Sequence, residues 1–459
     1  MVRVRVALGF LATLYGGAAM TVATGLVVTG CRSRPAQTTG KAVAVPIPAV
    51  PSSTIAAPEP NASAARDLRR CFSDRPAWSD APVSELLDRA GSLFDRDDFT
   101  GALACAEEAA RAAPRSVEAH HDRAAALLHL NRVDEARDAL ALALALGPDD
   151  PETLEATADL FINQLPPAAD RSAIGLEHAR RGFRRAAGLD RARAARLSLL
   201  EGQALIDLGR SEEAIRRLNV TLSLAPRLVA ARYEKGVAEF ELCRFEDARR
   251  TFQKVLDQIP EHAHALFHLG LIEERQGDEA AADRYFAEAA TRDPTSFPAP
   301  PPVSPEEFAA RVKAAVAALP ADVRADIAES HLEASELPAL RDLVAERPPL
   351  SPTILGLFRG LPLHWGADAD NRPQAGRLAQ GKAQRVNDRG PAPVPTGEVE
   401  AAGASCGTPE RTIVLYRRNL LRSVRDSSEL DEAIRRTLLH EVGHLRGEDD
   451  GSLRDRGLE

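Results

Sequence analysis

Hydrophobic and polar positions divide the chain into four regions with different patterns. Residues 6–30 contain no charged side chain, and residues 32–62 are small or proline with few charges. Between residues 83 and 294, small residues and prolines recur at a fixed interval. Near the C-terminus, Ser428–Asp431 has a capping-box pattern, and apolar residues then recur every three or four positions, which predicts an amphipathic helix. Its apolar face consists of Leu430, Ile434, Leu438, Val442 and Leu445.

The middle region repeats with a period of 34 residues. The repeated prolines are Pro114, Pro148, Pro226, Pro260 and Pro294. Small residues stand 24 positions before them (Ala90, Ala124, Gly202, Gly236, Gly270) and 12 positions before them (Ala102, Ala136, Ala214, Ala248, Ala282). This pattern is typical of tetratricopeptide repeats, in which two helices cross where both present small residues and a proline ends the second helix.

One interval is longer than the others. Pro148 and Pro226 are 78 residues apart, which is 34 plus 44, so a sixth, degenerate repeat fits there with a ten-residue loop insertion around Gln164–Ser172. Its matching residues are Ala158, Ala179, Phe183 and Ala186. We predict an array of about six repeats over residues 83–294, followed by a Pro-rich linker over residues 295–303. Such arrays form superhelices whose concave surface holds peptides or partner proteins.

The C-terminal helix carries residue types that bind metal. Residues 440–450 read H-E-V-G-H-L-R-G-E-D-D, which is H-E-x-x-H continued as x-x-G-x-x-D. Histidines four residues apart share a helix face, so His440 and His444 are able to bind one metal ion. Glu441 lies beside them, where its carboxylate is able to take a proton from a metal-bound water. The alternative is an ordinary amphipathic helix with two surface histidines.

A catalytic zinc site needs a third protein ligand. Because only 15 residues follow His444, this ligand has to come soon after the motif. Gly447 is able to adopt the left-handed conformation that ends a helix, which lets the chain turn back. Any of the next three carboxylates is close enough in sequence, and the spacing favours Asp450. We expect Glu448 to point away from the metal. We expect Asp449 to hold one of the ligand histidines in place without binding the metal itself.

The last third of the chain resembles the minimal zincin domains of bacteria, which are described as zinc metallopeptidases. The resemblance is carried by Ser304–Phe308, Leu319-Pro320, Ile354–Leu363, Ile413–Arg418 and Arg436–Leu439, which leads into the motif. It implies a small α+β domain over residues 304–459. It also implies that His440, His444 and Asp450 bind Zn2+ and that Glu441 is the general base.

Two further expectations concern this domain. The run Thr412–Tyr416 has strand character, and the resemblance to other zincins implies that it is an edge strand along which a peptide pairs, with Tyr416 near the site. Residues 366–408 are rich in Gly, Ala and Pro, and we predict a disordered insertion there.

The N-terminus predicts a membrane attachment. Arg3 and Arg5 precede the uncharged stretch, and Val28-Thr29-Gly30-Cys31 closes it. A positive start, an apolar core and small residues before a cleavage point are typical of a secretory signal. Because cysteine follows the cut, we predict a lipoprotein signal peptide over residues 1–31 with Cys31 as the lipidated residue. Residues 32–82 are then a disordered tether.

The apolar stretch is also long enough to span a bilayer without cleavage, so a simple membrane anchor is the alternative. Both interpretations place the rest of the chain outside the cytoplasm. Arg32, rather than aspartate, follows the cysteine, which in a Gram-negative cell favours the outer membrane. We therefore expect a bacterial cell-envelope protein that is lipid-anchored and extracytoplasmic.

Composition excludes several other functions. The net charge is -9 and no basic stripe is interleaved with aromatic residues, which argues against nucleic acid as a partner. No C-x-x-C pair occurs, which argues against a thiolate zinc site or a redox pair. The cysteines after residue 31 are Cys71, Cys105, Cys243 and Cys406, and their spacing does not say how they pair. Cys105 and Cys243 fall within helical patterns and are expected to be small core residues.

These patterns together predict a mainly α protein, in which a tetratricopeptide-repeat superhelix is followed by a small α+β zincin-like domain. The predicted function is that of a membrane-tethered, extracytoplasmic zinc metallopeptidase whose repeat array recruits a protein substrate or partner. The alternative is a non-enzymatic cell-envelope scaffold lipoprotein with a metal-stabilised zincin-like module.

Overall fold

The computed structural model describes residues 71, 82–166, 168–363 and 411–458. The predicted signal peptide with Cys31, the predicted tether apart from its residues 71 and 82, and the predicted insertion all lie outside the described residues, as does Cys406. Among the helices that are described, none is both long and apolar enough to cross a bilayer. The chain divides into two compact units between Pro148 and Asp149.

The first unit contains two helix pairs. Their helices are α1 (Val83–Phe94), α2 (Phe99–Ala112), α3 (Val117–His129) and α4 (Val133–Leu146). The four alanines predicted to lie at the crossings, Ala90, Ala102, Ala124 and Ala136, are all buried. Cys105 of α2 is fully buried in the core of this unit, as expected, and it also forms a disulfide with Cys71, which the spacing of the cysteines did not predict.

The second unit begins with four more helix pairs. Their helices are α5 (Pro151–Asp159), α6 (Ala169–Ala186), α7 (Arg191–Asp207), α8 (Ser211–Leu224), α9 (Val229–Glu241), α10 (Phe245–Leu256), α11 (Ala263–Gln276) and α12 (Glu279–Arg292). The ten-residue loop predicted around Gln164–Ser172 is wrong. Helix α5 continues as a π-helical turn over Leu160–Gln164 and α6 begins at Ala169, so most of the additional residues extend helices.

The small residues of the array allow the two helices of a pair to approach closely. The side chain that each small residue contacts in the second helix differs from the one that the sequence pattern predicts. A Cβ atom added at Gly236 of α9 would lie 2.6 Å from the ring of Phe252 in α10. Gly270 of α11 has the same relation to Phe286 of α12. The nearest neighbour of each glycine is therefore a phenylalanine that stands four residues after the repeated alanine of the second helix, Ala248 or Ala282, and not that alanine itself. Substitution by alanine at Gly236 would force the ring to move.

The C-terminal domain follows the array in the same unit. Its elements are α13 (Pro305–Ala318), α14 (Ala321–Ala328), β1 (His331–Ser335), α15 (Leu340–Leu343), β2 (Gly356–Arg359), β3 (Thr412–Tyr416), α16 (Arg417–Arg422), α17 (Ser427–Arg446) and α18 (Asp450–Asp455). The five predicted apolar residues of α17 are all buried, and they pack in one core with residues of α13, α14 and β3. The predicted fold class, a repeat array followed by a small α+β domain, is confirmed.

The sheet order corrects one expectation. The three strands are ordered β1-β3-β2, with β1 parallel and β2 antiparallel to β3. The expectation that Thr412–Tyr416 is an edge strand is wrong, because β3 pairs on both sides and lies at the centre. Its apolar residues are almost all buried, as expected of a central strand. Among the described strands, the one that lies at the edge beside α17 is β2.

Candidate metal centre

Helix α17 positions the residues of the motif. It begins at Ser427, where the side chain of Asp426 accepts hydrogen bonds from the N–H groups of Ser428 (2.8 Å) and Glu429 (3.2 Å). The N-cap is therefore two residues earlier than the capping-box pattern at Ser428 predicts, because the Asp426 carboxylate satisfies two of the free N–H groups. The helix ends at Gly447, whose φ of 94° is the left-handed conformation expected there.

The structure brings the three predicted ligands together. One ligand atom from each of His440, His444 and Asp450 lies within 4.8 Å of the other two. Nε2 of His444 is 3.1 Å from Nε2 of His440 and 3.3 Å from Oδ1 of Asp450. The left-handed turn at Gly447 and the start of α18 at Asp450 return this carboxylate to the face of α17 that carries the histidines.

Backbone carbonyls fix the orientation of both imidazoles. Nδ1 of His440 is 2.7 Å from the carbonyl oxygen of Leu458, and Nδ1 of His444 is 3.0 Å from that of Glu448. A carbonyl oxygen only accepts hydrogen bonds, so we assign the ring proton of each histidine to Nδ1. Both Nε2 lone pairs then point toward one position, beside which a carboxylate oxygen of Asp450 also lies. Three converging acceptors of this kind fit a divalent cation, and two imidazoles with one carboxylate are ligands that zinc prefers.

The surroundings of the site raise the pKa values of both His444 and Glu441, which favours the charged form of the imidazole and the neutral form of the carboxyl group. Burial lowers the pKa of His444, but the hydrogen bond with Asp450 and the proximity of Glu441 outweigh it and leave that pKa above its usual value. Burial raises the pKa of Glu441 to about 7, against the opposing effects of His444 and of the backbone N–H of Phe358. Glu441 is 5% exposed, so its carboxylate faces the interior of the site rather than bulk water.

The other two carboxylates after Gly447 have different partners. The two carboxylate oxygens of Glu448 lie 2.7 and 2.6 Å from Nη1 of Arg456. This side chain therefore points away from the three ligand atoms. Asp449 caps α18 by accepting hydrogen bonds from the N–H and the hydroxyl of Ser452, both at 2.9 Å. The expectation that Asp449 holds a histidine is therefore wrong, because the N-terminus of a second helix uses that side chain.

Several groups that support the site were not predicted from the sequence. Gly443 lies between the two histidines, and an added Cβ there would lie 2.2 Å from Cδ2 of the fully buried Leu453 in α18. Gly356 of β2 approaches α17 in the same way, since an added Cβ would lie 2.8 Å from Oε1 of Glu441. A glycine inside the motif is a sequence signal for such close contact, whereas the backbone carbonyls of Glu448 and Leu458 leave no signal.

Tyr416 does not belong to the open part of the site. Its side chain is fully buried, and burial raises its pKa to about 12. It is absent from the described residues that line the cleft beside the histidines. Tyr416 nevertheless lies near the site, as the resemblance implied, because the charges of Arg359 and Glu441 both act on its pKa. It stands on the buried side of the site and not where a substrate would contact it.

Comparison with known families agrees with this arrangement. A family model described as a zincin-like metallopeptidase matches residues 392–458. The chain carries a C-terminal zincin-like domain. A tetratricopeptide-repeat family model matches residues 87–151, 199–258 and 233–297 ahead of the zincin-like domain, so the predicted array is confirmed. No curated protein sequence matches the chain.

Several solved structures resemble the repeat array. PilF of Pseudomonas aeruginosa is 14% identical, with a TM-score of 0.40, over 46% of this chain and 92% of that one. PilW, a type IV pilus biogenesis factor, is 20% identical, with a TM-score of 0.42, over 50% of this chain and 97% of PilW. YrrB, a repeat protein with an unusual peptide-binding site, is 17% identical, with a TM-score of 0.33, over 41% of this chain and 92% of YrrB. The likeness is limited to the repeat fold.

Proposed function

We propose that this protein is a zinc-dependent metallopeptidase whose repeat array recruits a protein substrate or partner. The observation that carries the proposal is the convergence of His440, His444 and Asp450 beside the buried carboxylate of Glu441. A zincin-like domain and a repeat array in one chain are consistent with peptide hydrolysis and with protein binding.

The ligand set would hold a zinc ion through two Nε2 atoms and one carboxylate oxygen. When bound, zinc supplies Lewis acidity, which polarises a carbonyl group and makes water more acidic. Glu441 would act as the general base, taking a proton from the attacking water and returning it to the leaving amine. A carboxyl group whose pKa is about 7 suits both transfers near neutral pH. The N–H of Phe358 donates to this carboxylate and keeps it oriented.

Strand β2 is the proposed site for the substrate backbone. Among the described residues it pairs only with β3, and all four of its residues, Gly356–Arg359, line the cleft that contains the histidines. The N–H of Phe358 is already bonded to Glu441, and an extended peptide is able to add to the other main-chain groups of this edge through hydrogen bonds. This role replaces the one that the resemblance implied for Thr412–Tyr416.

Hydrolysis of an unstructured protein tests the proposed function. We expect the full chain, supplied with zinc, to cleave such a protein, to lose this activity after treatment with a chelator, and to regain it when zinc is returned. Cleavage that is the same with and without zinc would reveal a contaminating peptidase. Absence of cleavage by the zinc-loaded chain would favour the alternative of a scaffold with a metal-stabilised module.

The third ligand can be tested among neighbouring carboxylates. We expect Asp450→Ala to weaken zinc binding far more than Glu448→Ala or Asp449→Ala, because only Asp450 directs an oxygen to the histidines. Glu448→Ala removes the ion pair with Arg456 but keeps the carbonyl that orients His444. The measurement is zinc affinity by competition with a chelating indicator. If Glu448→Ala proves the most damaging of the three, the assignment of Asp450 is wrong.

We also propose that the protein is a lipid-anchored, extracytoplasmic component of the bacterial cell envelope. The disulfide between Cys71 and Cys105 supports this location, because disulfides persist in oxidising compartments. We expect Cys31→Ser to block lipidation and to leave an unprocessed or released protein, as judged by the mass of the N-terminus and by membrane fractionation. Unchanged membrane retention, with an intact N-terminus in the wild type, would favour an uncleaved membrane anchor.

A further inference from the structure

Charged side chains join the last helix pair of the array to the zincin-like domain. Glu274 of α11 is 4% exposed at its side chain and pairs with Arg418, at 2.8 Å, and with Arg422. Arg418 also contacts Glu279 of α12 at 2.7 Å. Both arginines belong to α16, which follows the central strand. Separating them from α11 would leave Glu274 buried without charge partners, so α11 is held in a fixed place beside this domain.

The next residue of α11 reaches the segment over residues 336–355, which connects β1 to β2. Nη1 of Arg275 donates to the carbonyl oxygen of Pro338, at 3.1 Å, and Nη2 donates to that of Pro352. The guanidinium lies over the ring of Phe245 in α10, 5.6 Å from the ring centre. Because the donors of a guanidinium form a rigid fork, this one side chain connects the beginning of the segment to its end.

The zincin-like domain holds the end of the same segment. Asn419 of α16 is buried, and its amide donates to the carbonyl oxygens of Pro352 (3.1 Å) and Ile354 (2.8 Å). Cys243 lies in the turn after α9, rather than inside a helix as its sequence pattern suggested, and its sulfur is 3.9 Å from the carbonyl oxygen of Leu350. A carbonyl oxygen has two lone pairs, so Pro352 accepts hydrogen bonds from the array and from the domain at once.

Strand β2 begins only four residues after this carbonyl group and lies close to Glu441. A Cβ atom added at Gly356 would lie 2.8 Å from Oε1 of Glu441 and 2.7 Å from Cγ2 of Thr437. The N–H of Phe358 donates to the same carboxylate. A displacement of β2 would therefore change both the space and the hydrogen bond that orient Glu441. The three metal ligands lie on α17 and α18, so their positions do not depend on β2 in this way.

Two turns of the array also border the cleft that contains the metal ligands. Gly209 and Ser211 line it at the turn between α7 and α8, and Leu242 lines it in the turn after α9. Arg275 is absent from the described residues of this lining. A peptide that pairs along β2 would thus lie beside the array without contacting Arg275.

We propose that Arg275 is a positioning residue for the metallopeptidase site. Through the carbonyl oxygen of Pro352 it sets the place of β2, and through β2 it sets the orientation of Glu441 and the strand edge that receives the substrate. This inference rests on the proposed function, and it gives the last repeats a role in arranging the site in addition to recruitment.

The test replaces Arg275 by methionine in the full chain. Asn419 still bonds to Pro352 and the pairs of Glu274 remain, so we expect the fold and the zinc content to be those of the wild type. Amide hydrogen exchange over residues 355–360, with and without zinc, is expected to become about fivefold faster, because β2 opens more often. We expect kcat/KM for an unstructured protein to fall about tenfold, because the base is less well oriented.

The matched control is Arg249→Met. Arg249 of α10 donates to Glu273 of α11, at 3.0 Å, and to Gln276, so this change removes an arginine that contacts the same helix but not the segment over residues 336–355. We expect the control to keep both the exchange rate of β2 and the rate of cleavage. Thermal unfolding of the two variants is compared in parallel, and we expect equal unfolding temperatures.

The outcomes separate this inference from the proposed function. Unchanged exchange over residues 355–360 in Arg275→Met would overturn the inference, and so would faster exchange throughout the domain together with loss of zinc, since Arg275 would then support the fold in general. Wild-type cleavage that Arg275→Met leaves unchanged would overturn the inference alone. Faster exchange confined to β2, in a protein whose zinc-loaded wild type does not cleave, would overturn the peptidase function alone.

Discussion

Replacing Glu441 by glutamine is expected to lower kcat/KM for an unstructured protein substrate by about 10²- to 10⁴-fold. Glutamine has nearly the same shape but cannot take up a proton at neutral pH, so the general base is lost while the ligands remain. Because Glu441 is not among the three ligand residues, we expect the variant to bind zinc as the wild type does. The measurements are the rate of cleavage and the zinc content of the same preparation.

A matched control for this change is available on the same helix. Glu432 is an exposed carboxylate of α17 that pairs with Arg435 at 2.7 Å and does not line the cleft. Glu432→Gln is expected to leave cleavage and zinc content unchanged. If Glu441→Gln retains wild-type activity, Glu441 is not the base. If it loses zinc together with activity, the carboxylate supports the metal site and its role as a base is not established by this variant.

Removing either histidine is expected to abolish stoichiometric zinc binding. We expect about one zinc ion per chain in the wild type and far less in His440→Ala or His444→Ala, because two protein ligands are too few for a stable zinc site. Both imidazoles are held by backbone carbonyls, so neither loss is compensated by a simple rotation of the other ring. Metal content after zinc-replete purification and dialysis is the measurement.

His331 offers a control for the loss of a histidine. It lies at the exposed start of β1 in the same domain and outside the group of residues that could hold a metal ion. His331→Ala is expected to retain zinc. A wild-type protein that is free of metal after zinc-replete purification would contradict the proposed site, and so would a His440→Ala protein that still holds one zinc ion per chain.

The parts of this protein that were predicted correctly are those whose cause is local or periodic. The repeats are visible because each helix pair needs a small residue at the same place, so Gly236 and Gly270 recur with the period of the structure. The left-handed turn at Gly447 was predictable because only glycine adopts that conformation at low cost. The spacing of the histidines on one helix turn similarly reflects the geometry of a single helix.

The expectations that failed depended on which partner a strand or side chain takes, and for β3 and Cys105 that partner is distant in the sequence. Tyr416 and its strand were placed at an edge because strand character does not say how many neighbours a strand has. The disulfide of Cys105 with Cys71, and the capping role of Asp449, were missed because several partners were equally compatible with the sequence. Residues that extend α5 and α6 read as a loop because they interrupt the 34-residue period without containing a strong helix signal.

The sequence by itself determined the order of the parts, the helical repeat, the metal-binding motif and the glycine at which the chain turns back. The spacing of the motif also favoured Asp450 as the third ligand. Only the tertiary structure decided which backbone carbonyls orient the histidines and which strand edge faces them. It alone also joins the last repeats to the zincin-like domain through Glu274 and Arg418, and so places two turns of the array beside the metal ligands. The physical reason is that a motif fixes geometry within one helix, whereas a cleft forms only when separate elements pack together.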